Sequence, residues 1–260
     1  MYDAPSYVWA LVLIGTIGIP LTTAIMLYRG ALAARMRKGT AVVLGIVAAY
    51  LLGAWLVASA VLAGTGVYAE ESGETAAWFG VAFTGVLVAL LISTAIPVVS
   101  RALSSPGSLL RLTIPHSLRL VGVVFLIVMA QGGVPWVFAL PAGLGDIATG
   151  AAAPFVARRL ARGEWHRRAV WFNVFGLLDL AVALTIGFLF GLGPWMPFEI
   201  TPTTEALAFL PLALVPTVAV PVAITLHIVS LRQLRAAARE NDGRRLISIA
   251  AREEMTVRHG

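Results

Sequence analysis

The sequence contains no cysteine, and only 12% of its 260 residues are charged. Without cysteine the chain forms no disulfide and holds no thiolate-ligated zinc or iron–sulfur cluster. An ordinary soluble domain has about 25% charged residues, so this chain has too few to cover its surface in water. Its hydrophobic residues, 59% of the total, fall in long uninterrupted runs. Such runs predict one all-α, polytopic membrane domain.

The sequence also contains a single lysine, and several common enzyme motifs are absent from it. The one lysine, Lys38, lies between two apolar runs. A photoreceptor of the rhodopsin type needs a lysine in its last helix to bind retinal, so that class is excluded. The chain also has no phosphate-binding glycine loop with lysine, no His-Glu-x-x-His and no Gly-x-Ser-x-Gly. Whether the protein is an enzyme stays open at this point.

Seven apolar segments predict a bundle of seven transmembrane helices. Most are about 20 residues long or longer, which is enough to cross about 30 Å of hydrocarbon at 1.5 Å per residue. The fourth is the shortest, and it either stands alone or continues back into residues 108–114. The segments are residues 7–28, 40–63, 76–99, 115–131, 135–156, 169–191 and 205–231.

The distribution of charge predicts the orientation of this domain, residues 1–231. All 19 basic residues fall on one side of the membrane or near it, and short basic loops stay in the cytoplasm. The N-terminus is therefore expected outside and the C-terminus inside, in the plasma membrane. The net charge of +6 reflects this topology, so no nucleic-acid partner is needed to explain it. The acidic residues of the opposite side are Asp3, Glu70, Glu71, Glu74, Glu199 and Glu205.

Residues 232–260 form a basic tail in which arginines alternate with a few apolar residues. Two interpretations are open. The tail is either an amphipathic helix on the anionic inner leaflet or a solvated segment that helps to set the orientation.

Polar groups divide the seven spans into two halves. Spans one to three carry no charged residue, whereas charges within hydrocarbon are costly and usually mark function. Asp146 and Asp179 lie near the middle of spans five and six, about 15 Å deep. Two histidines, an arginine and an asparagine lie toward the inner side of spans four, six and seven, namely His116, Arg119, Asn173 and His227.

Proline and glycine are frequent near these groups. Asp146 follows Pro141 and Gly143, which predicts a helix that is bent or locally unwound, although the glycines also suit close packing alone. Prolines at three positions predict kinks in span seven. Arg119 has two predicted arrangements. Its side chain either reaches inward to Asp146 or Asp179, or snorkels to the interface, which is the arrangement we favour from sequence.

These features favour a small carrier or channel that moves a proton or cation, with or without a small solute, through spans four to seven. Asp146 and Asp179 are predicted to hold the proton or cation, with Arg119 and Asn173 beside them. His116 and His227 form a second, inner polar cluster. One alternative is a membrane-embedded enzyme or redox protein with haem or a metal at these two histidines. Another is a non-catalytic accessory or sensor subunit. The leading hypothesis requires no cofactor or metal, and its partners are the bilayer and a small ion or solute.

Overall fold

A computed structural model describes residues 3–69, 77–164, 166–192 and 200–258, and every regular element in those ranges is a helix. Six helices are long and apolar enough to span a membrane, and a seventh crossing follows if one sharply bent pair counts as a single span. These helices are compatible with a membrane-embedded protein. The orientation stays a prediction. Of the six acidic residues that were predicted on the outer side, four lie outside the described ranges, namely Glu70, Glu71, Glu74 and Glu199.

The helices follow the apolar segments in order, and α1 packs along α2. Their bounds are α1 Ser6–Ala33, α2 Lys38–Gly64, α3 Ala77–Ser93, α4 Pro97–Leu103, α5 Ser108–Ala130, α6 Trp136–Ala161, α7 His166–Gly187 and α8 Val220–Arg258. The backbone of α8 thus continues through most of the basic tail as helix.

The predicted third span, residues 76–99, is not one continuous helix, because it breaks near its end. The helix ends at Ser93, and α4 leaves at an angle of 83°. The cause is Pro97, whose ring conflicts with the carbonyl of Ser93 and which has no N–H to donate to it. Ile96, just before the proline, is extended with φ −61° and ψ 127°, as residues before proline usually are.

The predicted seventh span, residues 205–231, also begins too early. A 3₁₀ turn occupies Glu205–Ala208, a π-helical turn occupies Val215–Ala219, and regular α-helix starts only at Val220. Prolines at 211, 216 and 221 remove backbone donors along this stretch. In an α-helix the carbonyl of Thr217 would accept a hydrogen bond from the backbone N–H of residue 221. Because that residue is a proline, the indole N–H of Trp55 on α2 donates to this carbonyl instead, at 2.8 Å.

The fourth span is longer than the predicted residues 115–131. It continues back into residues 108–114, which was one of the two alternatives predicted from the sequence. It consists of an α-helical turn Ser108–Thr113, a 3₁₀ segment Ile114–Gly122 and a second α-helix Val123–Ala130. Runs of 3₁₀ helix beyond three or four residues are uncommon, and within a span they often mark a hinge or strain. This segment packs along α6 and α1.

Helices α5 to α8 form the half of the bundle that holds the polar residues. One end of this half is marked by Leu160, Ala169 and Leu234, which pack together. We call it the inner end, because the predicted orientation places it toward the cytoplasm. The helices α5 and α7 run away from this end, and α6 and α8 run toward it.

Candidate functional site

The 3₁₀ segment of α5 aligns three residues of the site. A 3₁₀ helix has three residues per turn, so positions three apart lie directly above one another. His116, Arg119 and Gly122 have this spacing, and all three are buried. In an α-helix the same residues would drift around the axis by about 60° per step. The local change of helix type therefore directs the His116 and Arg119 side chains to a shared neighbour, His227.

Arg119 is the centre of the site, and its side chain is 3% exposed. Its Nε donates to Oδ1 of Asp146 at 2.6 Å, and its Nη2 donates to Oδ2 of Asp179. Its Nη1 lies 3.1 Å from Nε2 of His227. Each guanidinium nitrogen thus has a different partner on a different helix. The structure has the inward arrangement, and the favoured expectation that Arg119 snorkels to the interface is wrong.

Glycines create the space for the partners of Arg119. A Cβ on Gly122 would overlap the side chain of Asp146, and one on Gly145 would overlap the carboxylate of Asp179. A Cβ on Gly176 would overlap the ring of His227. The expected unwinding around Asp146 is not observed, because α6 is helical from Trp136 to Ala161 with Pro141 inside it. The glycines act through close packing, which was the alternative interpretation.

The hydrogen bonds define a direction from the inner end to Arg119. Nδ2 of Asn173 donates to the carbonyl of Ala169 at 2.7 Å, which orients the amide. Its Oδ1 then accepts from Nδ1 of His227, at 2.9 Å. Since a guanidinium can only donate, Nε2 of His227 must accept from Arg119. His227 is therefore neutral, with its proton on Nδ1.

His116 completes the inner side of the site by stacking on His227. The two ring centroids are 3.8 Å apart and the planes are inclined by 17°. Both nitrogens of His227 are already occupied by protein groups, and stacked rings do not present two nitrogens to one iron between them, as axial haem ligands do. The described residues also contain no group of three or more His, Asp or Glu side chains placed to hold a metal. The geometry does not fit the haem or metal alternative at these histidines.

The buried charges of this group do not balance. Asp146 and Asp179 share a single guanidinium, and the polarity of the hydrogen bonds makes His227 neutral. If both carboxyl groups are ionised and His116 is neutral like His227, the group carries one net negative charge in a region of low dielectric. Desolvation makes such a charge costly unless a proton or a cation neutralises it.

Two small cavities adjoin the carboxylates. One, of about 40 Å³, is lined by Asp146 and Asp179 together with apolar residues on the side away from the inner end, among them Phe138 and Leu207. The other, of about 30 Å³, is lined by Arg119 and Asp146 and by residues of α1. A water molecule needs roughly 10–15 Å³ of such space. Asp146 therefore lies at the boundary between two spaces large enough for water or a small ion.

All six residues singled out from the sequence meet in one connected group. It comprises His116, Arg119, Asp146, Asn173, Asp179 and His227, so the two clusters expected separately form a single network. Two features were not predicted from the sequence. One is the 3₁₀ segment, and the other is the space that Gly122, Gly145 and Gly176 leave for the partners of Arg119. The sequence did contain one indication of the 3₁₀ segment, because His116, Arg119 and Gly122 are spaced three residues apart.

Comparison with known proteins places the site within one family. No curated protein and no solved structure shows significant similarity to the chain. Residues 76–235 match the family model described as Domain of unknown function (DUF8737). The match covers α3 to the inner part of α8, and it includes all six residues of the network. Since it spans more than half of the chain, the protein belongs to the DUF8737 family.

Proposed function

We propose that the protein translocates a proton, or a small monovalent cation in its place, across the membrane through the bundle of α5 to α8. Asp146 and Asp179 form the binding pair. The observation that carries the proposal is the charge imbalance: two buried carboxylates share one guanidinium. The proposal includes the predicted orientation in the plasma membrane, with the N-terminus outside.

The physical argument concerns the cost of a buried charge. A purely structural ion pair needs one carboxylate for one arginine, and a second carboxylate adds repulsion and desolvation without a second cation. An exchangeable proton or monovalent cation removes that charge when it binds and restores it when it leaves. A site of this kind alternates between two charge states, which is what a translocation step requires.

Access to the pair supports the same proposal. The cavity beside Asp146 and Asp179 extends toward Gly187 and Leu207, on the side away from the inner end. On the opposite side of Arg119, His227 and Asn173 continue the polar network toward the inner end. The carboxylates thus lie between a space on one side and a chain of hydrogen-bonding groups on the other.

Ion flux into proteoliposomes is the direct test. We expect purified protein to acidify liposomes containing a pH-sensitive dye when a potassium diffusion potential drives protons inward. Because Asn cannot release a proton, Asp179→Asn and Asp146→Asn should each reduce this flux at least tenfold. If cations replace protons, the same loss should appear in the uptake of labelled Na⁺ or K⁺.

A matched control separates the site from the general loss of a carboxylate. Glu164 lies in the exposed turn between α6 and α7 and pairs there with Arg159, so Glu164→Gln should leave the flux unchanged. Wild-type-like proton and cation flux in both aspartate variants would refute the proposal, as would wild-type protein that conducts none of these ions.

Infrared spectroscopy distinguishes a bound proton from a bound cation. With a bulky organic ion as the only cation, we expect one carbonyl stretch from a protonated carboxylic acid, and this band should shift to lower frequency in D₂O as the exchangeable proton is replaced by deuterium. Asp146→Asn or Asp179→Asn should remove this band, since the remaining carboxylate then balances Arg119. If Na⁺ or K⁺ is the substrate, adding it should abolish the band in the wild type. A spectrum with two ionised carboxylates under the organic cation would contradict the charge argument.

A further inference from the structure

Three buried polar atoms in the described residues, one of them on the network residue His116, lack a hydrogen-bond partner. They are Nε2 of His116, Oγ1 of Thr149 and Oγ of Ser230. Each of these residues is only 1% exposed. A buried polar group without a partner destabilises the fold, so three of them call for a physical explanation.

The three residues occupy equivalent positions along their helices, each three residues from a member of the network. Thr149 is three residues beyond Asp146 on α6, and Ser230 is three residues beyond His227 on α8. His116 is three residues before Arg119 on α5. Helices α6 and α8 run toward the inner end, and α5 runs away from it. Each offset of three residues therefore moves about one turn toward the inner end, or about 5 Å along the axis. We call His116, Thr149 and Ser230 the inner layer.

The hydroxyl of Thr149 lacks the local hydrogen bond that other threonines of this bundle make. Thr16, Thr23 and Thr225 each donate to the carbonyl four residues earlier in their own helix, at 2.8 Å. This local bond is the usual way for a threonine to satisfy its hydroxyl in an apolar helix. Thr149 lies in the middle of α6 and does not make it, so its hydroxyl remains available to another group.

We propose that the inner layer is the proton-transfer site on the inner side of the translocation path, with His116 as the proton acceptor. This inference rests on the proposed function and specifies the proton as its substrate. Hydroxyl and imidazole groups can each both donate and accept a hydrogen bond, which a proton relay requires. The layer contains no carboxylate, so it offers a metal cation little compensation for lost water.

The transfer changes only O–H and N–H bonds. A proton leaves the carboxyl group of the Asp146–Asp179 pair, crosses the inner layer by way of the Thr149 hydroxyl and bridging water molecules, and adds to the free ring-nitrogen lone pair of His116, giving an imidazolium. The carboxylate regains its negative charge and remains paired with Arg119. The imidazolium, one 3₁₀ turn from the guanidinium, is repelled by it. The proton therefore passes on to the inner side, and the neutral ring is restored.

Thr149→Val provides the sharpest test, because a structural role and a relay role predict different results. Removing an unpaired buried hydroxyl should leave stability unchanged or raise it. If the hydroxyl relays protons, the same change should lower proton flux at least fivefold in the dye-loaded liposomes. The control is Thr225→Val on α8, whose hydroxyl is satisfied by its own helix. It should keep wild-type flux.

His116→Phe tests the acceptor itself. Phenylalanine can keep the stacking on His227 but cannot accept a proton, so we expect at least a tenfold loss of flux. His166→Phe, at the exposed start of α7, should have no effect. In a second variant, His116→Ala, added imidazole should restore part of the flux.

The outcomes separate the two proposals. Wild-type flux in both His116→Phe and Thr149→Val, with flux abolished in Asp179→Asn, would overturn the inner layer and keep the proposed function. Wild-type protein without any flux that depends on Asp179 would remove both.

Discussion

Arg119→Gln should lower the free energy of unfolding by about 3–5 kcal/mol, because it leaves buried carboxylates without their cation. The arginine contacts Asp146, Asp179 and His227, so three partners on three helices lose a donor together. In detergent we expect the melting midpoint to fall by about 10 °C. Thermal unfolding followed by tryptophan fluorescence or size-exclusion chromatography measures this change.

Neutralising the acids should rescue this variant. Adding Asp146→Asn and Asp179→Asn to Arg119→Gln removes both unpaired charges, and the introduced glutamine amide can still donate to Nε2 of His227. Replacing a whole buried ionic group by neutral residues is often neutral or stabilising. The triple variant should therefore recover at least half of the lost stability, although it should not translocate ions.

Arg159→Gln is the matched control for the arginine. Arg159 and Glu164 are each 44% exposed, so their ion pair is at the surface. Surface pairs contribute about 0–1 kcal/mol, and the control should melt within a few degrees of the wild type. An Arg119→Gln variant as stable as Arg159→Gln would show that the buried charges do not depend on Arg119 for compensation.

Gly150→Ala should destabilise the protein by about 1–3 kcal/mol, the usual cost of overpacking. A Cβ at this position would lie 2.5 Å from the backbone nitrogen of Leu120 and 3.0 Å from the carbonyl carbon of Arg119. Both are backbone atoms, so no side-chain rotation relieves the overlap. Instead α6 and the 3₁₀ segment of α5 must separate. That movement also displaces Arg119, and the proton flux should fall together with the melting midpoint.

Gly85→Ala provides the comparison for the same change. A Cβ on Gly85 in α3 would meet nothing within 4 Å, and alanine favours helix over glycine by up to about 1 kcal/mol. Its melting midpoint should remain or rise, while that of Gly150→Ala falls. Equal midpoints for the two variants would mean that the contact between α6 and the 3₁₀ segment does not limit stability.

Much of the candidate site was predictable from sequence because depth in a membrane helix follows from residue number. At 1.5 Å per residue, the position of Asp146 and Asp179 near the middle of their apolar runs can be counted directly. The concentration of polar groups in spans four to seven can be read in the same way. Helix breaks were less accessible. Pro97 ends α3 at Ser93, whereas Pro141 leaves α6 continuous, and composition does not distinguish the two.

By itself the sequence determined the helical class, the approximate number of apolar helices and the places of Asp146 and Asp179 along their apolar runs, since all three depend on local composition and on distance along the chain. Only the tertiary structure decided that Arg119 turns inward to two aspartates and that His116 stacks on His227. It also showed that Gly122, Gly145 and Gly176 make room for Asp146, Asp179 and His227. The reason is geometric: partners around a helix axis depend on its rotation and on close packing between helices. Here both depend on a 3₁₀ segment and on contacts between residues that are 27 to 108 positions apart in the chain.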